Sequence, residues 1–150
     1  DDVDPATNLP RLDVIPNLNL YDDLFQAAAD EHGLDAAFIK AVAIAESRLN
    51  PRAVSRAGAQ GLMQLMPTTA AAFQVRNRFD VSENIRGGVA YLAWLSRQCH
   101  GDWRLVLASY NAGLRRVMTS GLKFRSPTVR AYVTKVAYRR DRWKKSGTRE

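Results

Sequence analysis

The sequence predicts an all-α protein built as one globular domain, and three observations carry that reading. Apolar residues recur at helical spacing along most of the chain, and each run is closed by Gly, Pro or a capping side chain. Nothing resembles an alternating strand bounded by hairpin turns. With 150 residues, 46% of them hydrophobic, the chain is long enough to bury one core and too short for two ordinary domains.

The elements follow in order. The opening "DDVDPATNLPRLDVIP" has three prolines and no helical period, so residues 1–18 read as an extended arm or linker. A first helix is expected over 20–32, with Asn19 as N-cap, Leu24, Phe25 and Ala28 turned inward, and Gly33 as terminator. A second is capped by Asp35 and runs to about Arg48. It stops before Asn50 and Pro51, because the residue preceding proline avoids the helical region. Residues 50–66 form an irregular loop with Gly58 and Gly61, and Pro67 opens a short helix reaching Phe73. Ser82 is expected to cap a helix ending at Gln98, with Ile85, Val89, Leu92 and Leu95 spaced for burial and Tyr91 and Trp94 beside that face. Asp102 caps "DWRLVLASYNAG", which Gly113 terminates, and a short helix over 114–118 ends near Gly121. The last helix starts at Ser126 and Pro127 and carries Val129, Tyr132, Val133 and Val136 on one side. The domain therefore spans 19–143, with a basic tail at 144–150.

The net charge of +7 is unevenly spread: residues 1–35 hold nine acids and only Arg11, while 36–150 hold 21 Lys and Arg against six acids. Such a basic body concentrates polyanions, among them nucleic acid, anionic lipid and bacterial wall polymers, unless the charges are simply solvated helix faces. Cys99 is the single cysteine, so no intrachain disulfide is expected and cysteine usage leaves the compartment open. No apolar run approaches the roughly 20 residues of a membrane span. The longest, near 36–45, is interrupted by Lys40. With no initiator Met and no signal pattern at Asp1, the chain reads as a processed or excised product.

One acid stands out. Glu46 ends the apolar helix "DAAFIKAVAIAES", prolonging the rows Phe38, Val42, Glu46 and Ile39, Ala43, Glu46 that pack inward. Desolvation and the negative end of its own helix dipole are expected to raise its pKa, which suits a general acid. The competing reading is a structural carboxylate paired with Arg48 or Arg52. No Asp or Glu follows between Ser47 and Phe79.

The company of Glu46 separates the two. "ESRLNP" (46–51), "GLMQLMP" (61–67), "NIRGGVAYL" (84–92), "ASYNAG" (108–113) and "VRAYV" (129–133) occur in that order. Together they closely resemble the soluble lytic transglycosylase family over about residues 20–140. The resemblance implies a lysozyme-like fold with a central buried helix and a saccharide-binding cleft. It also implies cleavage of the β-1,4 bond between N-acetylmuramic acid and N-acetylglucosamine in peptidoglycan, with a 1,6-anhydro end as product. Glu46 matches the single acid/base, protonating the leaving oxygen and then taking the proton of the sugar's own C6 hydroxyl. A second carboxylate, which glycosidases usually need, is then dispensable.

The resemblance extends to the cleft. Ser55, Gln64 and Met66 look like saccharide contacts, with Met63 assigned to the core. Tyr110 and Asn111 match an aromatic and amide pair, and Tyr132 a second tyrosine near the acid. Many family members carry Glu four residues before that tyrosine, where this chain has Thr128. His32 and His100 have no ligand partners at metal spacing, so neither a metal site nor a cofactor is expected. The basic tail with its interleaved aromatics is read as an outer face directed to wall or lipid polyanions rather than nucleic acid. The alternatives are a lysozyme-type muramidase on the same fold and a non-catalytic wall or nucleic-acid binding module. The expected partner is the glycan strand of peptidoglycan, the expected state a monomer, and the expected place the periplasm or cell envelope. A chain with little beyond a catalytic core also fits local wall opening for a secretion or conjugation machine.

Overall fold

A computed structural model describes residues 3–4, 9–10, 15–120 and 136. Six helices are described: α1 Asp22–His32, α2 Ala36–Ser47, α3 Pro67–Ala72, α4 Val81–Gln98, α5 Trp103–Ala112 and α6 Leu114–Ser120. Outside them, Val3–Asp4 pairs antiparallel with Leu9–Pro10 within the segment read as an extended arm. Ile15 is buried in the main core, with Leu18 and Tyr21 packed against it. No helix among the described residues is long and apolar enough to cross a membrane. The last expected helix, apart from Val136, lies outside the described residues.

α2 is the central helix because it has almost no polar face to leave in water: nine of its twelve residues are buried. α1 supplies Phe25, Ala28 and Ala29 to the same core, α4 supplies Ile85, Val89, Leu92 and Leu95, and α5 supplies Val106 and Leu107. The spacing expected for α4 is thus the spacing observed. Asp35 and Asp102 cap α2 and α5 as expected, accepting from the N–H groups of Ala37 and Arg104. Gly33 ends α1 in the left-handed conformation that a glycine takes without Cβ strain (φ 67°).

Four local expectations are corrected. α1 begins at Asp22, not residue 20, and Asn19 does not cap it. The Asn19 carboxamide oxygen instead accepts from the Lys40 ammonium at 3.2 Å. α4 is capped by Asp80 rather than Ser82, since the Asp80 carboxylate, one residue before the helix, accepts from Glu83 N–H. Leu24 is 37% exposed. The buried stripe of α1 is Phe25, Ala28 and Ala29, an i, i+3, i+4 set that leaves Leu24 at its margin in the first turn.

Lys40, the interruption in the apolar run, is itself buried, and its Nζ stands 2.6 Å from Asp22 Oδ1. Burial lowers the Lys40 pKa, and the hydrogen bond and charge of Asp22 oppose that shift. The pair ties α2 to the start of α1. Removing Asp22 would take the ion pair from the buried Lys40 ammonium and leave it Asn19 as a neutral acceptor.

Candidate active site

α2 delivers Glu46 to its C-terminal end. The residues one and two turns earlier on its row, Val42 and Phe38, are buried, while Glu46 itself is half-buried. The helix then stops abruptly: Arg48 and Leu49 both take left-handed backbone (φ 53° and 60°). Non-glycine residues there cost about 1–3 kcal/mol each. The full burial of the Leu49 side chain opposes that cost. Neither Arg48 nor Arg52 forms an ion pair among the described residues, so the structural pairing considered for Glu46 is not made with them.

The loop of residues 50–66 is held by its own polar groups rather than by regular structure. Asn50 accepts from Arg52 N–H, and Ser55 Oγ accepts from Ala59 N–H at 3.0 Å. Gln60 and Leu65 exchange two main-chain hydrogen bonds of 3.0 Å. From outside the loop, the Arg78 guanidinium donates to the carbonyls of Gly58 and Leu65, both at 2.9 Å. Gly61 is required here: its φ is +88°, and a Cβ would lie 2.1 Å from the Arg78 carbonyl oxygen and 2.2 Å from Asn84 Nδ2.

A cleft of about 310 Å³ opens beside this loop, lined by Gln64, Leu65 and Met66, by Thr68 and Thr69 of α3, by Tyr91 of α4 and by residues 110–113. Four expected site residues therefore meet on one surface: Gln64, Met66, Tyr110 and Asn111. Met66 is 39% exposed there, whereas Met63 is fully buried, as the core assignment expected. Gln64 differs from its expected role in one respect. Its Nε2 donates to the carbonyls of Ala53 (3.0 Å) and Gly61 (2.9 Å), so the two amide protons brace the loop and only the amide oxygen is left to face a ligand. Ser55 belongs to the loop's inner turn and not to the described cleft lining. Tyr132 and Thr128 lie outside the described residues.

Tyr110 links the cleft to the acid. Its hydroxyl donates to the Met63 carbonyl at 2.5 Å. Its pKa is raised well above 10 by burial first, then by the negative charge of Glu46 and by Tyr91. The Glu46 carboxylate is therefore close enough for its field to act on the Tyr110 phenol. Tyr91, 5.3 Å from Tyr110 between ring centroids, 5.7 Å from Phe73 and 6.3 Å from Trp94, joins a run of aromatic rings of which Tyr91 and Tyr110 line the cleft. Sequence reasoning assigned Tyr91 only to the flank of α4. Its place beside "GG" in "NIRGGVAYL" was the available signal, since a helix that carries two glycines is built for close approach. Thr68 and Thr69 had no such signal.

The remaining acids of the described body have other uses. Asp80 caps α4, Asp102 caps α5, and Glu83 accepts from the N–H groups of Arg76 (2.8 Å) and Asn77 (3.3 Å). A second cavity of about 210 Å³, walled by Leu34, Phe38, Leu92 and Trp103, sits near the opposite end of α2. At about 1.5 Å per residue, Phe38 is some 12 Å along the helix axis from Glu46.

An all-α core around one buried helix, with a half-buried carboxylate at its end and a polar and aromatic cleft beside it, places the chain in a definite class: it belongs to the transglycosylase SLT domain family, whose sequence model matches residues 23–132. The fold is the lysozyme-like all-α fold of that family. Among similar proteins, a membrane-bound lytic murein transglycosylase F of Desulfosudis oleivorans is 42% identical over 117 residues, covering 74% of this chain and 24% of that one. A transglycosylase of Enterobacteria phage PRD1 is 43% identical over 88 residues, covering 58% of this chain and 32% of that protein. Of solved structures, the 70 kDa soluble lytic transglycosylase of Escherichia coli superposes with a TM-score of 0.75 at 28% identity, over 84% of this chain and 24% of its own. The lytic transglycosylase Slt of Pseudomonas aeruginosa gives 0.76 at 27%, over 88% and 25%. The chain thus spans about a quarter to a third of the length of these relatives.

Proposed function

We propose that this chain is a peptidoglycan lytic transglycosylase domain that cleaves the β-1,4 bond between N-acetylmuramic acid and N-acetylglucosamine and leaves a 1,6-anhydro end. The observation that carries the reading is the placement of Glu46: half-buried at the end of an apolar helix, electrostatically coupled to Tyr110, beside a cleft lined by Gln64, Met66, Tyr110 and Asn111. On this reading Glu46 enters the reaction as the protonated acid that bond cleavage needs. Glu46 donates that proton to the departing glycosidic oxygen. The resulting carboxylate then accepts the proton of the C6 hydroxyl as that oxygen bonds to the anomeric carbon, so charge and protons balance without water. Asp80 and Asp102 cap helices and Glu83 accepts from the N–H groups of Arg76 and Asn77, so each of these carboxylates has a main-chain partner where it stands.

Gln64 offers its amide oxygen to a sugar amide or hydroxyl proton, Met66 an apolar wall, and Tyr110 and Asn111 a flat face and an amide at the other side. Ser55 acts on this reading by shaping the loop, and the part assigned to Tyr132 rests on the sequence resemblance alone. The substrate places the activity in the bacterial cell envelope, where wall turnover or local opening for a secretion or conjugation machine would use it. The test is mass spectrometry of purified sacculi after digestion. Anhydro-ended muropeptides that disappear with Glu46→Gln, while the variant keeps its circular dichroism and melting temperature within a few degrees, support the proposal. Reducing ends would instead identify a muramidase, and lysis that survives Glu46→Gln would remove the acid from the mechanism.

A further inference from the structure

The loop that presents Gln64 and Met66 is fastened at three consecutive main-chain groups, each by a different helix. Ser47 of α2, the residue after Glu46, donates from Oγ to the Leu62 carbonyl at 2.6 Å. Asn84 of α4 accepts the Met63 N–H on Oδ1 at 2.8 Å. Tyr110 of α5 donates to the Met63 carbonyl at 2.5 Å. The Leu62 carbonyl and the Met63 N–H belong to one planar peptide unit, so Ser47 and Asn84 hold that plane from its two edges. Asn84 is fully buried, and its Nδ2 also donates to the carbonyls of Gln60 (3.1 Å) and Arg78 (2.8 Å). That one side chain therefore fixes the second half of the loop at Gln60 and Met63 together with the segment that leads into α4.

Gln64 depends on these ties. It sits in left-handed backbone (φ 54°) directly after the fastened unit, and its amide protons point back to Ala53 and Gly61. Its side chain is thus braced by the loop that carries it. Among the described residues lining the cleft, neither Ser47 nor Asn84 appears. We infer that Ser47 and Asn84 are positioning residues: they fix the Gln64–Met66 wall relative to the Glu46 carboxylate, and act on the reaction only through that wall. The inference rests on the proposed role of Glu46. Its physical basis is the steep dependence of proton transfer and substrate alignment on distance, in which a displacement of about 1 Å costs on the order of 100-fold in rate.

Ser47→Ala removes one hydroxyl and leaves the helix intact. Asn84→Asp keeps the acceptor for Met63 N–H but turns an oxygen toward the Gln60 and Arg78 carbonyls. Leu95→Ala, a core truncation on α4 away from the loop, serves as the stability control. Two readouts are taken on the intact chain below all melting temperatures: release of anhydro-muropeptides from sacculi per folded molecule, and amide hydrogen exchange at Met63, Gln64 and Leu65. The expected result is a fall in turnover of about tenfold or more in Ser47→Ala and Asn84→Asp, with exchange at the three amides accelerated by a similar factor, and neither change in Leu95→Ala. Ser47→Ala turnover within twofold of wild type, or equal losses in all three variants, would overturn the inference. Should Asn84→Asp not fold, Ser47→Ala decides alone. If the wild-type chain releases no anhydro product the proposed function fails first, and unchanged exchange in Ser47→Ala then overturns the fastening of the loop independently.

Discussion

Replacing Gly88 by Ala tests how tightly the loop is seated on α4. A Cβ at Gly88 would lie 2.5 Å from Met63 Sδ, 2.9 Å from Met63 Cβ and 3.1 Å from Met63 Cε. The thioether end can swing aside, but Met63 Cβ moves only with its main chain, and that main chain is held by Asn84 on one side and Tyr110 on the other. Overpacking of this kind costs about 1–3 kcal/mol. Alanine in place of glycine within a helix returns about 0.5–1 kcal/mol. Taking the middle of both ranges, the net expectation is a loss of about 1.25 kcal/mol, which at about 2–4 °C per kcal/mol for a domain of this size lowers Tm by roughly 2.5–5 °C. Thermal unfolding followed at 222 nm measures it, and sacculus digestion at 25 °C shows whether the displaced loop also slows turnover. A Gly88→Ala protein as stable as wild type or more so would mean that Met63 steps aside freely, and the loop would then not be constrained as described.

Gln64→Ala removes the two bonds to Ala53 and Gly61 together with the cleft-facing amide oxygen. It should cost about 1–3 kcal/mol in a urea melt and lower turnover on sacculi. Unchanged activity would mean that the substrate does not occupy this cleft. Tyr110→Phe leaves the Met63 carbonyl without its donor, and the same urea melt should show a loss of about 1–3 kcal/mol. Because burial and the Glu46 charge hold the Tyr110 pKa well above 10, its contribution to stability is complete below pH 10 and is lost only as pH rises through the higher folded value. The absorbance titration of folded protein at 295 nm between about pH 9 and 11, around the ordinary tyrosine pKa, should therefore be the same in wild type and Tyr110→Phe. A phenol that disappears from that range in the variant would refute the burial of the hydroxyl.

The helices were legible because their periodicity and punctuation are local. Asp35, Gly33, Pro67, Asp102 and Gly113 each act on main-chain groups within four residues. The misplaced caps have a common cause: a short polar side chain near a helix start has several partners in reach, and the sequence does not rank them. Asn19 turns to an ammonium 21 residues away, and Ser82 lies inside the helix because the Asp80 carboxylate two residues earlier reaches the first free N–H groups. Lys40 was legible as an interruption but not as a buried partner of Asp22, since that pairing depends on how α1 crosses α2.

The site divides along the same line. Glu46 could be singled out from one helix, because its row of apolar neighbours, one and two turns away, is a local fact. The wall of the cleft could not be derived in this way, because its geometry comes from bonds that join Met63 to Asn84 and to Tyr110, 21 and 47 positions apart. The family resemblance gave Gln64 to a sugar, and the fold turns its amide protons to the loop and leaves the oxygen. The sequence also left open whether folding would bring Asp80, Glu83 or Asp102 to the acid. Each satisfies N–H groups at a helix start or turn, where removal would expose those donors. The proposed transglycosylase and a muramidase share the acid and differ in the attacking oxygen, which belongs to the substrate in one and to water in the other. The end group of the released muropeptide, and not the rate of lysis, is therefore the measurement on which the role of Glu46 turns.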